Sequence, residues 1–182
     1  YFHPTVYQVS LMIYYTEFVN HIAEYYRGNQ EYSYHNINNT YKGLEIRGKW
    51  KASSTLSASW EINLIDNRYS DGSMIPNTQP ISIVNRLSYQ SPKYPLGIST
   101  NMKWTGPYTP SFHDVVTGNW IKEEKGRSGY IIFDISGNYT LKNHIKINCG
   151  IKNISNFIDH NYGPFIGRSF YFEISAQLIG KE

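Results

Sequence analysis

The protein has 182 residues, of which 40% are hydrophobic and only 17% are charged, and this composition excludes a disordered or collagen-like chain. A single cysteine excludes an internal disulfide and a cysteine-rich zinc site, and a net charge of +3 is too small to indicate a nucleic-acid-binding surface. Aromatic residues make up 16% of the chain, although the mean hydropathy is −0.48. Because the first residues include neither an initiator methionine nor a signal-peptide core, we expect a fragment of a longer precursor.

Apolar and polar residues alternate along most of the chain, which is typical of β-strands because every second side chain lies on the same face. In residues 55–64, for example, Leu56, Trp60 and Leu64 alternate with serine, glutamate and asparagine. No segment favours a helix, and the sequence therefore predicts an all-β, antiparallel fold of about nine strands. In chain order the predicted strands are 6–16, 20–27, 44–51, 55–64, 81–90, 98–104, 131–141, 145–152 and 170–178.

The connections between these strands alternate in length. The predicted short turns are 17–19, 53–54, 92–95 and 142–143, and the predicted longer loops are 28–31, 67–79, 107–129 and 157–166. Membrane barrels have short turns at one rim and long loops at the other, whereas a soluble Greek-key sandwich has no reason to follow that rule. The sequence therefore favours a transmembrane β-barrel, and a soluble β-sandwich, such as a carbohydrate-binding module, is the alternative.

An odd number of strands does not match a closed bacterial barrel, so we expect an arc of a larger one. Its edges should pair with further strands, because open edges in lipid leave backbone groups unsatisfied. The face with Leu56, Trp60 and Leu64 is predicted to contact lipid, with Ile147 near the bilayer midplane. The opposite face should line the lumen with charges that guide a substrate or pair with each other or with a plug. These are Glu45, Arg47, Lys49, Lys51, Glu61, Arg86, Lys103, Asp134, Lys146 and Lys152.

Two groups of residues resemble TonB-dependent outer-membrane receptors. Residues 152–156 resemble an Asn-Leu-Phe-Asp-like motif at a strand end, and they are followed by a tyrosine-bearing loop and by Gly-Arg before the last strand. Residues 34–36 and 41–45 resemble the Tyr-x-Asn and Gly-x-Glu signature of an earlier strand. The motif residues are Gly43, Glu45, Asn153, Tyr162, Gly167, Arg168 and Phe170. Both glycines also have a structural alternative, as places of close approach or tight strand entry.

The resemblance implies that residues 1–182 are the C-terminal part of a receptor barrel of about 22 strands, without its plug and N-terminal strands. It implies energy-coupled uptake, across the outer membrane of a Gram-negative bacterium, of a large scarce nutrient such as a ferric siderophore, haem, cobalamin or a glycan. The implied partners are the lipid bilayer, a small-molecule or metal-chelate substrate, the remaining strands and plug of the receptor, and TonB through that plug. A passive pore or a surface-binding barrel is the alternative.

Loops held by a rigid scaffold often carry ligand specificity, and 107–129 is the longest predicted loop. The predicted ligand-binding residues are Tyr108, His113, Trp120 and Arg127 in this loop and Arg68 and Tyr69 in the loop 67–79. Since the final strand of the family runs toward the periplasm, the resemblance implies that these loops are extracellular. The six histidines lack metal-ligand spacing and no nucleophile motif is present, so we predict no metal site, catalytic residue, cofactor or enzymatic activity.

Overall fold

The computed structural model describes residues 6–28, 31–75, 77–113, 120–122, 126–141, 145–160 and 163–176. Within this part of the chain strands are the only regular secondary structure, and eight of them form one antiparallel sheet in which successive strands pair. The hairpin of two short strands, β6 and β7, is inserted between β5 and β8. The strands are β1 Val6–Gly28, β2 Glu31–Lys51, β3 Leu56–Tyr69, β4 Ile81–Gln90, β5 Leu96–Thr105, β6 Ser111–His113, β7 Trp120–Lys122, β8 Tyr130–Leu141, β9 Ile145–Lys152 and β10 Ser169–Ala176.

Strand β1 differs from the sequence-based expectation. It pairs with β2 on both sides of residues 17–19, so the predicted turn there is wrong, and two predicted strands are one. The register shifts by one residue between Phe18 and His21, where Asn20 has a φ of 57° and its N–H donates to Oδ1 of Asn38 over 2.8 Å. Such a β-bulge inverts the alternation of side chains without reversing the chain, and this inversion resembles a strand boundary in the sequence.

The sheet is open. Strands β1 and β10 lie at its two ends and are not bonded to each other. The main sheet has eight strands, so the argument from an odd number of strands does not hold. The two separate edges still indicate an arc, because open edges in lipid would leave backbone groups unsatisfied. The sheet is an arc of a larger barrel.

The strand register places the apolar residues on one continuous face, because directly paired residues of an antiparallel sheet share a face. One row across six strands consists of Leu11, Ile46, Ile62, Ile83, Trp104 and Ile131. This face is uncovered: Leu11 is 62% exposed and Phe172 is 66% exposed. Among the described residues, Tyr108 is the one large hydrophobic side chain that is buried. An uncovered apolar face, with no packed core among the described residues, does not fit a soluble sandwich and is typical of the lipid-facing side of a barrel.

The two rims differ in connection length as predicted, except that the predicted longer loop 28–31 is the tip of the β1–β2 hairpin, where Gly28 pairs with Glu31. The short-turn rim carries the connections 52–55, 91–95 and 142–144, and the long-loop rim carries the β1–β2 hairpin and the connections 70–80, 106–129 and 153–168. Strand β2 pairs with β3 only from Asn39 onward but pairs with β1 as far as Glu31. The tip of the β1–β2 hairpin therefore extends beyond its neighbour at the long-loop rim.

Candidate ligand-binding rim

Two connections of the long-loop rim are joined into one unit. Nη1 of Arg127, in the β5–β8 connection, lies 2.6 Å from Oδ2 of Asp159, in the β9–β10 connection. The backbones of Tyr108 and Arg127 form a bridge, with N–H to carbonyl distances of 3.2 and 2.7 Å. The ring of Tyr130 stacks on Phe157 with centroids 4.8 Å apart. These contacts join the β5–β8 and β9–β10 connections at the long-loop rim.

The structure brings two of the predicted ligand-binding residues together at the base of this unit. Tyr108 is 8% exposed, and the Arg127 guanidinium pairs with Asp159. Both residues therefore hold the β5–β8 connection in position. His113 and Trp120 are register partners in the β6–β7 hairpin, and their side chains lie outside the described part of the structure. Tyr108 and Arg127 thus form the base from which this hairpin projects.

Arg68 and Tyr69, at the end of β3, lie in a separate cluster. Nε of Arg68 donates to Oδ1 of Asp66 over 2.8 Å, and its Nη1 donates to the Gly72 carbonyl over 2.9 Å. Nζ of Lys42 lies 3.0 Å from the second carboxylate oxygen of Asp66. The register puts Arg68 on the same face as Leu64, which is the outer face, and Tyr69 on the inner face. No hydrogen bond or ion pair found within the described ranges joins Arg68 to the Arg127–Asp159 unit.

The turn after β3 is fixed by its own residues. Gly72 has a φ of 83°, which favours glycine, and the Tyr69 N–H donates to the Ser73 carbonyl over 2.9 Å. Oδ1 of Asp71 accepts hydrogen bonds from the Ser73 hydroxyl over 2.6 Å and from its backbone N–H over 2.8 Å. These two bonds hold the pKa of the Asp71 carboxyl below its usual range. The turn is thereby held by hydrogen bonds between its own residues.

Among the motif residues, Asn153 organises the β9–β10 connection. Its side chain is 5% exposed and its φ is 51°. Nδ2 donates to the carbonyls of Phe157 and Ile166 over 2.7 and 3.2 Å, and Oδ1 accepts from the Phe157 N–H over 3.1 Å. Its own N–H donates to Oδ1 of Asp134 over 2.8 Å. One asparagine therefore ties both ends of the connection to β8.

The Gly167-Arg168 pair closes the same connection. Oδ1 of Asn156 accepts from the Arg168 N–H over 2.8 Å, and the Arg168 guanidinium donates to the Ile154 carbonyl over 3.0 and 2.5 Å. A Cβ at Gly167 would lie 2.6 Å from Oδ1 of Asn156, so a larger residue would displace this acceptor. Phe170 is 73% exposed on the outer face, and Tyr162 lies outside the described residues. The motif thus has a structural role in the described part of this connection.

Glycine also allows aromatic rings to lie across neighbouring strands. A Cβ at Gly43 would lie 2.5 Å from the hydroxyl of Tyr14, its partner on β1. The same relation holds between Gly48 and Trp60 and between Gly150 and Tyr171. The predicted role of Gly43 as a place of close approach is confirmed.

Charged residues of the inner face form a network around Arg47. Its guanidinium pairs with Glu45 and lies 3.1 Å from Oε2 of Glu61, whose other oxygen accepts from Nδ2 of Asn63 over 2.9 Å. Glu45, a motif residue, is therefore held inside the sheet by a neighbouring cation. At this place the inner-face charges pair with each other, which is one of the arrangements that the sequence predicts.

Sequence reasoning missed Asp159 and Asn156, although both hold the connections together. Asp159 is 32 positions from Arg127, and no local spacing indicates a pair at that separation. For Asn156 the signal was its position within the 152–156 motif. In the described ranges, no group of three or more histidine, cysteine, aspartate or glutamate residues is arranged to hold a metal ion, and no helix is long and apolar enough to cross a membrane.

The fold is similar to that of solved transporters and receptors. The copper transporter OprC is 16% identical, with a TM-score of 0.76 over 93% of this chain and 28% of that chain. A mutant ferric enterobactin receptor PfeA from Pseudomonas aeruginosa, in complex with enterobactin, is 17% identical, with a TM-score of 0.75 over 92% of this chain and 29% of that one. The ferripyoverdine receptor of the outer membrane of Pseudomonas aeruginosa is 15% identical, with a TM-score of 0.64 over 83% and 21% of the two chains. The chain thus spans less than a third of each of these structures.

A search of curated proteins gave no match. At the level of families, the sequence model described as "TonB dependent receptor-like, beta-barrel" matches residues 1–154. This match covers most of the chain, and the open antiparallel sheet with one apolar face agrees with it. The chain therefore belongs to the TonB dependent receptor-like β-barrel family, a family of transport receptors.

Proposed function

We propose that the chain is the C-terminal part of an outer-membrane receptor that imports a large, scarce nutrient with energy supplied through TonB. The observation that carries this proposal is the open apolar-faced arc in a chain that matches the receptor barrel family. Strands before β1 complete the barrel, a plug fills it, and TonB acts on the plug. The substrate is a ferric siderophore, haem, cobalamin or a glycan, and the fold relatives include a copper transporter and ferric-siderophore receptors.

The long-loop rim faces the outside of the cell in this proposal. The Arg127–Asp159 unit holds the β6–β7 hairpin over the lumen, and His113 and Trp120 on that hairpin contact the substrate. Tyr69, on the inner face of β3, is a second contact residue, whereas the outer-face position of Arg68 suits a supporting role. Imidazole and indole groups offer stacking and hydrogen bonding to an aromatic or chelating ligand.

Uptake into intact cells tests this function. Cells that carry the complete receptor as their only importer are given ferric enterobactin, haem or cyanocobalamin, with and without TonB. We expect one probe to accumulate only when TonB is present, and deletion of residues 109–126 should abolish its binding while the barrel still inserts. Accumulation that is equal without TonB would instead identify a passive pore. Binding without accumulation would identify a surface-binding barrel.

A further inference from the structure

Two polar side chains interrupt the apolar outer face of the sheet, and they are close to each other. Asn85 of β4 pairs with Met102 of β5, and Thr100 lies two residues from Met102 on the same face. Such diagonal neighbours in an antiparallel pair are about 7–8 Å apart. Asn85 and Thr100 therefore form one small polar patch, which we call the outer-face polar patch.

The rest of the outer face around this patch is apolar. The row of paired residues that contains Asn85 also contains Val9, Gly48, Trp60, Met102 and Phe133. The row that contains Thr100 also contains Tyr7, Trp50, Ala58, Leu87, Ile135, Ile151 and Phe170. In these two rows, Asn85 and Thr100 are therefore the only polar side chains that are not aromatic.

The position of Asn85 along its strand places it in the hydrocarbon layer. Of the five outer-face positions of β4, from Ile81 to Tyr89, Asn85 is the third. Four residues of a strand tilted by roughly 45° correspond to about 9 Å of depth from either end, and the apolar band of a barrel is about 25 Å tall. The Asn85 amide is thus too deep to contact lipid headgroups.

Neither side chain of the patch is satisfied by the sheet. Among the described residues, no hydrogen bond is found for the Asn85 amide or the Thr100 hydroxyl. The Trp60 ring lies over Gly48, on the side away from Asn85, and leaves the amide partly exposed. Since hydrocarbon chains offer neither donor nor acceptor, lipid alone would leave this amide without a partner, which is costly.

The strands that complete the barrel do not cover the patch. Strands β4 and β5 each have both of their neighbours in the sheet, and the missing strands join at the distant edges β1 and β10. A plug lies on the opposite, inner face. The partner of the outer-face polar patch is therefore another molecule within the membrane.

We infer that the outer-face polar patch is a contact surface between two copies of this barrel. An asparagine amide has both a donor and an acceptor, so two copies related by a twofold axis along the membrane normal can exchange Nδ2–H to Oδ1 hydrogen bonds between their Asn85 side chains. This symmetry places both amides at the same depth. Polar side chains join transmembrane helices in a similar way, and the Thr100 hydroxyl adds a second polar group beside the axis. The contact does not depend on which nutrient is imported.

Energy transfer between labelled receptors in lipid vesicles tests this association. The complete receptor carries Cys149→Ala, and a donor or an acceptor dye is attached to a cysteine introduced at Ser54. We expect transfer to rise with the ratio of protein to lipid. Asn85→Leu should raise the dissociation constant tenfold or more, whereas Asn85→Gln keeps the amide and should stay within about threefold of the wild type. Thr100→Val, which removes the hydroxyl at nearly constant shape, should have a smaller effect.

Cross-linking locates the contact on the outer face. In the Cys149→Ala background, Leu87→Cys leaves Asn85 in place and should give a cross-linked dimer with a short bis-maleimide. Ile147→Cys is the matched control, because it lies on the same face but on β9. We expect little dimer from this control.

Three results would overturn the inference. One is a wild-type receptor that stays monomeric at every ratio of protein to lipid, and another is an Asn85→Leu variant that associates as tightly as the wild type. The third is equal cross-linking from Leu87→Cys and Ile147→Cys, which would indicate random contact in a crowded membrane. The shift in gel mobility on heating confirms that Asn85→Leu is folded, and Thr100→Val provides a second variant if it is not.

Discussion

The side chain of Asn153 satisfies three backbone groups and one hydroxyl in the connection after β9. Its Nδ2 donates to the carbonyls of Phe157 and Ile166. Its Oδ1 accepts from the Phe157 N–H and also from the Ser155 hydroxyl, in both cases over 3.1 Å. Asparagine tolerates a positive φ better than most residues, so it suits the backbone conformation at this position as well as the hydrogen bonds of its side chain. This side chain therefore ties the two ends of the connection between β9 and β10 to each other.

Replacing Asn153 with alanine should lower the free energy of unfolding by about 2–4 kcal/mol, because buried partners lose their hydrogen bonds and alanine disfavours the left-handed φ. Asn153→Gly is the matched control, since it loses the same bonds without the backbone strain. We expect the glycine variant to be more stable than the alanine variant by about 1 kcal/mol. Guanidinium unfolding of the receptor in lipid vesicles measures both. An alanine variant as stable as wild type would contradict the role assigned to this side chain.

Neighbouring residues of β9 face opposite environments. Ile147 lies on the outer, apolar face, whereas Nδ2 of the inner-facing Asn148 donates to Oε2 of Glu173 over 3.0 Å. Ile147→Arg should therefore cost about 2–4 kcal/mol, as expected for a charge near the bilayer midplane. Asn148→Arg keeps a carboxylate partner and should cost far less. The same vesicle unfolding experiment compares the two, and equal losses would show that the faces are assigned incorrectly.

At the scale of whole elements, the Arg127–Asp159 pair connects two loops that are separate in sequence. Its side chains are 28% and 13% exposed, so solvent screens the pair only in part. We expect Arg127→Ala and Asp159→Ala to be coupled by about 1 kcal/mol in a double-mutant cycle. Either single change should speed protease cleavage within residues 106–129.

The charge-swapped double variant, Arg127→Asp with Asp159→Arg, is the control for that cycle. It should recover most of the protease resistance, because the two charges can pair in the opposite orientation. Independent effects of the two alanine changes would show that the pair does not join the loops. No rescue by the swap would show that the surrounding hydrogen bonds, rather than charge, hold the unit.

The strands of this fold were predictable because alternation of apolar and polar residues directly reflects a sheet with one face in lipid. Strand β1 shows where this signal fails, since the bulge at Asn20 reverses the alternation within one strand. The site was less predictable. Tyr108 and Arg127 were identified by residue type and loop length, but their burial and pairing depend on contacts with the distant Asp159. Side-chain composition cannot distinguish a residue that supports a loop from one that binds a ligand.

For the molecule as a whole, the orientation in the membrane follows from the two rims. Cysteines introduced at Ser73 and Ser111 on the long-loop rim should react with an impermeant maleimide on intact cells, and a cysteine at Ser54 on the short-turn rim should not. The background carries Cys149→Ala, because this free cysteine is exposed. Labelling of Ser54→Cys only after the outer membrane is opened supports the proposed topology. The reverse labelling pattern would invert it.

The rings that lie over glycines also constrain how the strands come into register during assembly. On the same face as Gly43, the residues two positions away are Tyr41 and Glu45, both too large to leave room for the Tyr14 ring. A two-residue slip of β1 against β2 would keep every face correct, so lipid contact alone would not reject it. The ring would then meet a side chain in place of the gap above glycine. Similar ring-over-glycine pairs lie at Gly48 and Gly150. The three pairs therefore disfavour a two-residue slip between strands, which contact with the bilayer alone would not disfavour.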